Sequence, residues 1–122
     1  MTTIKWKTEP EEHDYPAAYS YLCLHFDENI AASIVDKLKK AKMTSFKAKD
    51  IFRASGLPLL GISNSHVSAN IKKIKNGKKL SPLLLVRYGN DNKMFIADGY
   101  HRIVGSYTFS EDSDVPAKIV TV

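Results

Sequence analysis

Apolar positions along the 122-residue chain change period more than once, and each change marks an element. Residues 1–13, "MTTIKWKTEPEEH", show no period and read as an irregular arm, with Trp6 docked on the body because its ring demands burial. Asp14 offers an N-cap and Pro16 suits a first helical turn, so "YPAAYSYLCLHF" (15–26) reads as a helix with Tyr15, Ala18, Leu22 and Phe26 on one stripe. Asp27 is a second N-cap, and "ENIAASIVDKLKKAK" (28–42) continues as a helix facing inward with Ile30, Ile34, Val35 and Leu38. Residues 14–43 therefore predict a helical hairpin.

From residue 46 the period shortens. "FKAKDIF" (46–52) alternates as a short strand, with Phe46, Ala48 and Ile51 on one side and Lys47 and Lys49 on the other. "ASGLPLLG" (54–61) is loop chemistry. "SNSHVSANIKKIKNG" (63–77) reads as a helix capped by Asn64 or Ser65, with a Val67, Ile71, Ile74 stripe and a stop at Gly77. "SPLLLVRY" (81–88) is a strand with proline admitted only at its start, "GNDN" (89–92) a hairpin turn and "KMFIA" (93–97) the returning strand. "YHRIVGSYTF" (100–109) is a helix weakened by Gly105, "SEDSD" (110–114) an acidic loop and "VPAKIVTV" (115–122) a closing strand. The order α-α-β-α-β-β-α-β predicts an α+β fold: a small mixed sheet with helices, preceded by the helical hairpin, all within one domain.

Composition narrows the classes. No N-terminal apolar run has the form of a signal peptide, and no stretch is long enough to cross a bilayer. Cys23 is the single cysteine, which excludes an internal disulfide and a multi-cysteine metal site. A cytoplasmic setting without a membrane partner is the expectation. The net charge of +5 is unevenly spread. Between Lys37 and Lys79 lie twelve of the 18 Lys/Arg and one acid, Asp50. That segment is either a set of solvated faces neutralised by the acidic flanks or a surface for phosphate, nucleotide or nucleic acid.

Chemistry concentrates in "ADGYHR", residues 97–102. A strand ends and a helix starts within two residues. Asp98 is placed to cap that helix, and Gly99 permits positive φ and close approach to the backbone. Arg102 sits in the first turn, where the positive end of the macrodipole disfavours a cation by a few tenths of a kcal/mol or more. An anion bound at the helix start removes the conflict, taking amide donors, Arg102 and His101. Other readings stand beside this one. Asp-Gly is a common turn, His101 fits equally as a half-buried histidine, and Arg102 has the acidic loop at Glu111–Asp114 as an alternative partner.

The ordered series "FKAKDI", "HVSANIKKIKNGKKLSPLLLV" and "KMFIADGYHRIVGSY" resembles the ParB/sulfiredoxin superfamily domain over residues 46–120. The resemblance implies recognition of a nucleotide (ATP, ADP or CTP) by a phosphate loop, here Asp98, Gly99, Tyr100, His101 and Arg102. Known members include a CTP-binding partition switch, an ATP-dependent sulfinic acid reductase, ADP-dependent amino-acid kinases and proposed nucleases. Sulfiredoxins carry a catalytic cysteine just before the His-Arg pair. Tyr100 stands there in this chain, which argues against sulfinic acid reduction. The kinase branch uses a glutamate in the loop after the first strand, and "RASGLPLLGISNS" has none. The helix-turn-helix of the partition proteins has no counterpart in the sequence.

Lys47, Lys49 and Ser81 complete the candidate phosphate ligands, and Asp98 and His101 are the candidate catalytic groups. His13, His25, His66 and His101 show no metal-binding helical spacing. Mg²⁺ carried in by a nucleotide needs only one or two carboxylates, with Asp98 the candidate. Tyr15, Tyr19 and Tyr21 belong to the core or to a partner or homodimer face. The expected function is nucleotide-phosphate binding, with phosphotransferase or nuclease activity as candidate chemistry. The alternatives are a nucleic-acid-binding module on residues 37–79 and a non-enzymatic regulatory or interaction protein.

Overall fold

The computed structural model describes residues 3–57, 65–89 and 93–122. It is an α+β fold. In chain order the elements are β1 (Lys5–Trp6), α1 (Asp14–Leu22), α2 (Glu28–Lys40), β2 (Thr44–Lys47), α3 (Ala48–Ser55), α4 (Ser65–Lys75), β3 (Lys79–Leu80), β4 (Leu83–Tyr88), β5 (Lys93–Asp98), α5 (Tyr100–Phe109) and β6 (Asp114–Thr121). The main sheet runs β2-β6-β4-β5. β6 lies parallel to β4 and antiparallel to β2, and β5 is antiparallel to β4. Pro82 stands just before β4, where its missing donor costs no ladder bond.

β4 is apolar on both faces because both are covered. Leu83 and Leu85 join a core with Ala48, Ile51, Val67, Ile103 and Val104 under α3, α4 and α5. Leu84 and Val86 join Tyr15, Ala18, Leu22, Ile34 and Leu38 under α1 and α2. The helical hairpin thus roofs one side of the sheet. Lys118, 4% exposed on that side, is satisfied by Tyr15 Oη at 3.2 Å, the Lys39 carbonyl at 3.0 Å and the Glu9 carboxylate at 3.4 Å.

Several expectations need correction. "FKAKDIF" is not one strand: β2 stops at Lys47, and Ala48, Ile51 and Phe52 form the inner face of α3, a helix that ends at Gly56 with φ 66°. Lys47 and Lys49 therefore do not share a strand face. The N-terminal arm is partly regular, since β1 pairs in parallel with β3. Trp6 packs on the core as expected. Asp14 is not an N-cap; His13 occupies that position and Asp14 begins α1. α1 ends at Leu22, before Phe26, and Ile30 is largely exposed while Ala31 takes its place inside α2. The predicted Asn64 cap and all but Gly89 of the "GNDN" turn lie outside the described residues. No helix among the described residues is long and apolar enough to cross a membrane.

Candidate functional site

The turn between β5 and α5 is built around Gly99. Its φ of 111° is forbidding to other residues, and a Cβ there would sit 2.7 Å from Leu83 Cγ and 3.0 Å from Arg102 Nη2. Close packing against β4 thus fixes where α5 begins. The first amides of a helix have no partners within it, and those of α5 emerge at this turn. Asp98 does not cap α5, contrary to expectation: Gly99 holds the N-cap position, and the Asp98 carboxylate instead accepts from Arg102 Nη2 at 2.9 Å. The misplaced cation of the first turn thus finds its counter-ion four residues back rather than in the acidic loop. Arg102 Nη2 also donates to the Pro82 carbonyl at 3.3 Å, while Arg102 Nε is buried without a hydrogen-bond partner among the described residues.

The turn opens on a polar cleft of about 350 Å³ between α4, α5, β3 and the start of α1. Asp98, Gly99, Tyr100, His101, Arg102 and Ser81, six of the sequence candidates, all line it. Lys47 and Lys49 do not. They pair with Asp114 at 3.2 Å and Asp112 at 2.7 Å, at the edge of the sheet opposite β5. Each lysine answers the acidic loop that was the alternative partner for Arg102.

The structure adds groups that the sequence pattern did not single out. Lys73 and Lys79 form a cationic wall. Asp14, 2% exposed, reaches the cleft from the hairpin side. Its carboxylate accepts from Ser81 Oγ and, at 3.0 Å, from the Glu11 amide. It also lies within hydrogen-bonding reach of Asp98, so two carboxyls meet behind one guanidinium. Burial raises the Asp98 pKa; Arg102 opposes this and Asp14 adds to it. Asp14 was legible only as a cap, because nothing local reveals that it meets a residue so distant in the chain.

His66 of α4 faces His101, ring centroids 4.7 Å apart, and Tyr100 lies 5.5 Å from His101. Burial lowers the His101 pKa, and His66 and Arg102 lower it further, so the imidazole favours its neutral form. A second cleft of about 540 Å³ meets the first at Asp98–His101 and continues over Tyr21, Leu57, Ile96 and Ala97. One side of the turn is polar and charged, the other mainly apolar. A separate groove of about 410 Å³ is mainly apolar, lined by Phe46, Ile51, Leu85, Met94 and Ile119 together with Asp50, Arg87 and Lys93.

No protein-family model, curated protein or solved structure matches the chain. The site's own geometry therefore carries the functional argument. Among the described residues no group of three or more His, Cys, Asp or Glu side chains is arranged to hold a metal ion. For Mg²⁺ arriving on a nucleotide, the carboxyls of the cleft are Glu11, Asp14 and Asp98, of which Glu11 pairs with Lys7 and Asp98 with Arg102.

Proposed function

We propose that the cleft binds a nucleotide, phosphates in the polar half and base over the apolar half. The carrying observation is that the two clefts meet at one turn. On the polar side stand the start of α5, Arg102 with an unused donor, His101, Lys73 and Lys79. These are the donors a phosphate takes. On the other side the rings of Tyr21 and Tyr100, with Ile96, suit a planar heterocycle. The resemblance to the ParB/sulfiredoxin superfamily at "DGYHR" supports the same reading. Three acids, Glu11, Asp14 and Asp98, also line the polar cleft. Glu11 is engaged by Lys7, Asp98 by Arg102, and Asp14 by the Ser81 hydroxyl and the Glu11 amide, so each acid's charge is answered by a partner within the protein. Asp98, whose pKa burial raises, is the candidate proton donor or acceptor for phosphoryl transfer or phosphodiester hydrolysis.

Calorimetric titration with ATP, ADP and CTP, with and without Mg²⁺, tests this. Arg102→Ala and Lys73→Ala, each checked for fold by circular dichroism, are expected to weaken binding of the accepted nucleotide at least tenfold. Absence of binding by all three nucleotides at millimolar concentration overturns the proposal, as does unchanged affinity in both variants.

A further inference from the structure

The basic segment is split in the folded chain between the end of α2, the β2–α3 corner and the α4–β3 turn, and Lys37, Lys39, Lys40 and Lys42 at the first of these are exposed and lie outside the cleft lining. In β2 and α3 its cations are neutralised: Lys47 by Asp114, Lys49 by Asp112 and Arg53 by Asp50. In α4 and β3 they are not. Lys72, Lys73, Lys75, Lys78 and Lys79 are all exposed, and among the described residues none forms an ion pair. The chain turns back tightly after α4, with the Lys78 amide donating to the Lys73 carbonyl at 2.9 Å, which keeps these lysines close together. The β1–β3 pairing then adds a sixth from the far end of the sequence, placing Lys5 beside Lys79. Lys5 Nζ lies 3.8 Å from where a Gly77 side chain would begin.

Self-repulsion in such a cluster works against folding. The dipole at the C-terminal end of α4 offsets it for Lys72, Lys73 and Lys75, at about 0.3–1 kcal/mol each. That account leaves out Lys5, Lys78 and Lys79. The strip also leads somewhere: Lys73 and Lys79 belong to it and line the polar cleft. We infer that the α4–β3 lysines hold the backbone of a single-stranded nucleic acid, one of whose nucleotides occupies the cleft. The inference builds on the phosphate-binding reading above and extends its ligand from a monomer to a polymer.

The choice of partner rests on what borders the strip. A polyanion matches its charge. Three rings, Tyr100, His101 and His66, stand together at its end, and aromatic side chains beside a cationic strip suit an unpaired base, whereas a paired base is already stacked within its duplex. A bilayer surface calls for exposed apolar side chains among the cations. Among the described residues, the large exposed apolar side chains, Leu24, Ile30, Leu57, Tyr88 and Val122, all lie outside residues 65–80.

The test is fluorescence anisotropy with a labelled U12 oligonucleotide at several salt concentrations, with a duplex of the same length and phosphatidylglycerol vesicles as competitors. ATP is titrated in parallel. The variant combines Lys72→Glu, Lys75→Glu and Lys78→Glu, outside the cleft, and a Lys→Gln triple at the same positions guards against a folding defect. U12 affinity is expected to fall at least tenfold in both triples, with the log–log salt slope flattened by about 2. ATP affinity is expected to stay within twofold. Unchanged U12 affinity in the triples, a flat salt profile in the parent, or equal competition by duplex or vesicles overturns the inference. ATP binding without U12 binding overturns this inference alone. U12 binding that the triples abolish, without ATP binding, supports it while removing the mononucleotide reading.

Discussion

At the residue scale, Gly99 carries the heaviest constraint. A side chain there meets both an unfavourable φ, worth about 1–2 kcal/mol, and a clash with Leu83 worth about 1–3 kcal/mol. Gly99→Ala is expected to cost about 2–5 kcal/mol in urea denaturation. His101 offers a pH signature. Its folded pKa lies below the ordinary 6.5, so the unfolded chain takes up the proton first as pH falls. Stability is thus fully present above 6.5 and declines on the acid side until the folded imidazole also protonates. His101→Gln is expected to lose less stability than the parent between about pH 7.5 and 5 by this linkage. Equal losses in the two proteins would contradict the environment described for this ring. A bound phosphate acts in the opposite direction, favouring the imidazolium, so its affinity is expected to increase as pH falls.

At the element scale, the parts that were legible are those specified by local chemistry. Asp27 was readable as a cap, and its Oδ1 accepts from the Ile30 amide at 3.0 Å. Asp27→Ala is expected to cost about 1 kcal/mol by thermal or urea denaturation. The strand at Leu83–Tyr88, the α4 stripe of Val67 and Ile74 and the positive φ of Gly99 were likewise visible. The misassignments fall where one pattern serves two structures. Phe46, Ala48 and Ile51 fit an alternating strand, but Ala48, Ile51 and Phe52 fit a helical face equally well, and burial against α5 and the sheet decides for the helix. Asp14 looked like a cap because aspartate before Tyr-Pro often is one. A buried hydroxyl at Ser81 gives its carboxylate a different role, and no local pattern announces that partner. The cleft was legible on its α5 wall and hidden on the walls supplied by α1 and α4, since those depend on tertiary contacts.

At the scale of the whole molecule, the sheet carries helices on both sides, and two polar connections join the parts. One is Lys118, held between α1, α2 and the arm residue Glu9. Removing its phenol acceptor with Tyr15→Phe leaves a buried ammonium short of one bond, with an expected cost of about 1.5–3 kcal/mol measured by denaturation. The other is Asp14, which begins a helix of one layer yet reaches a cleft walled by α4 and α5 of the other. This arrangement has a mechanical consequence. A molecule seated in the cleft acts as a rivet through the sheet's rim, fastening both helical layers at once. Saturating the protein with an accepted nucleotide is therefore expected to slow amide hydrogen exchange in α1 as well as in α5, although the two helices belong to separate cores. Protection confined to α5 would mean that the hairpin merely shelters the cleft and takes no share in gripping its occupant.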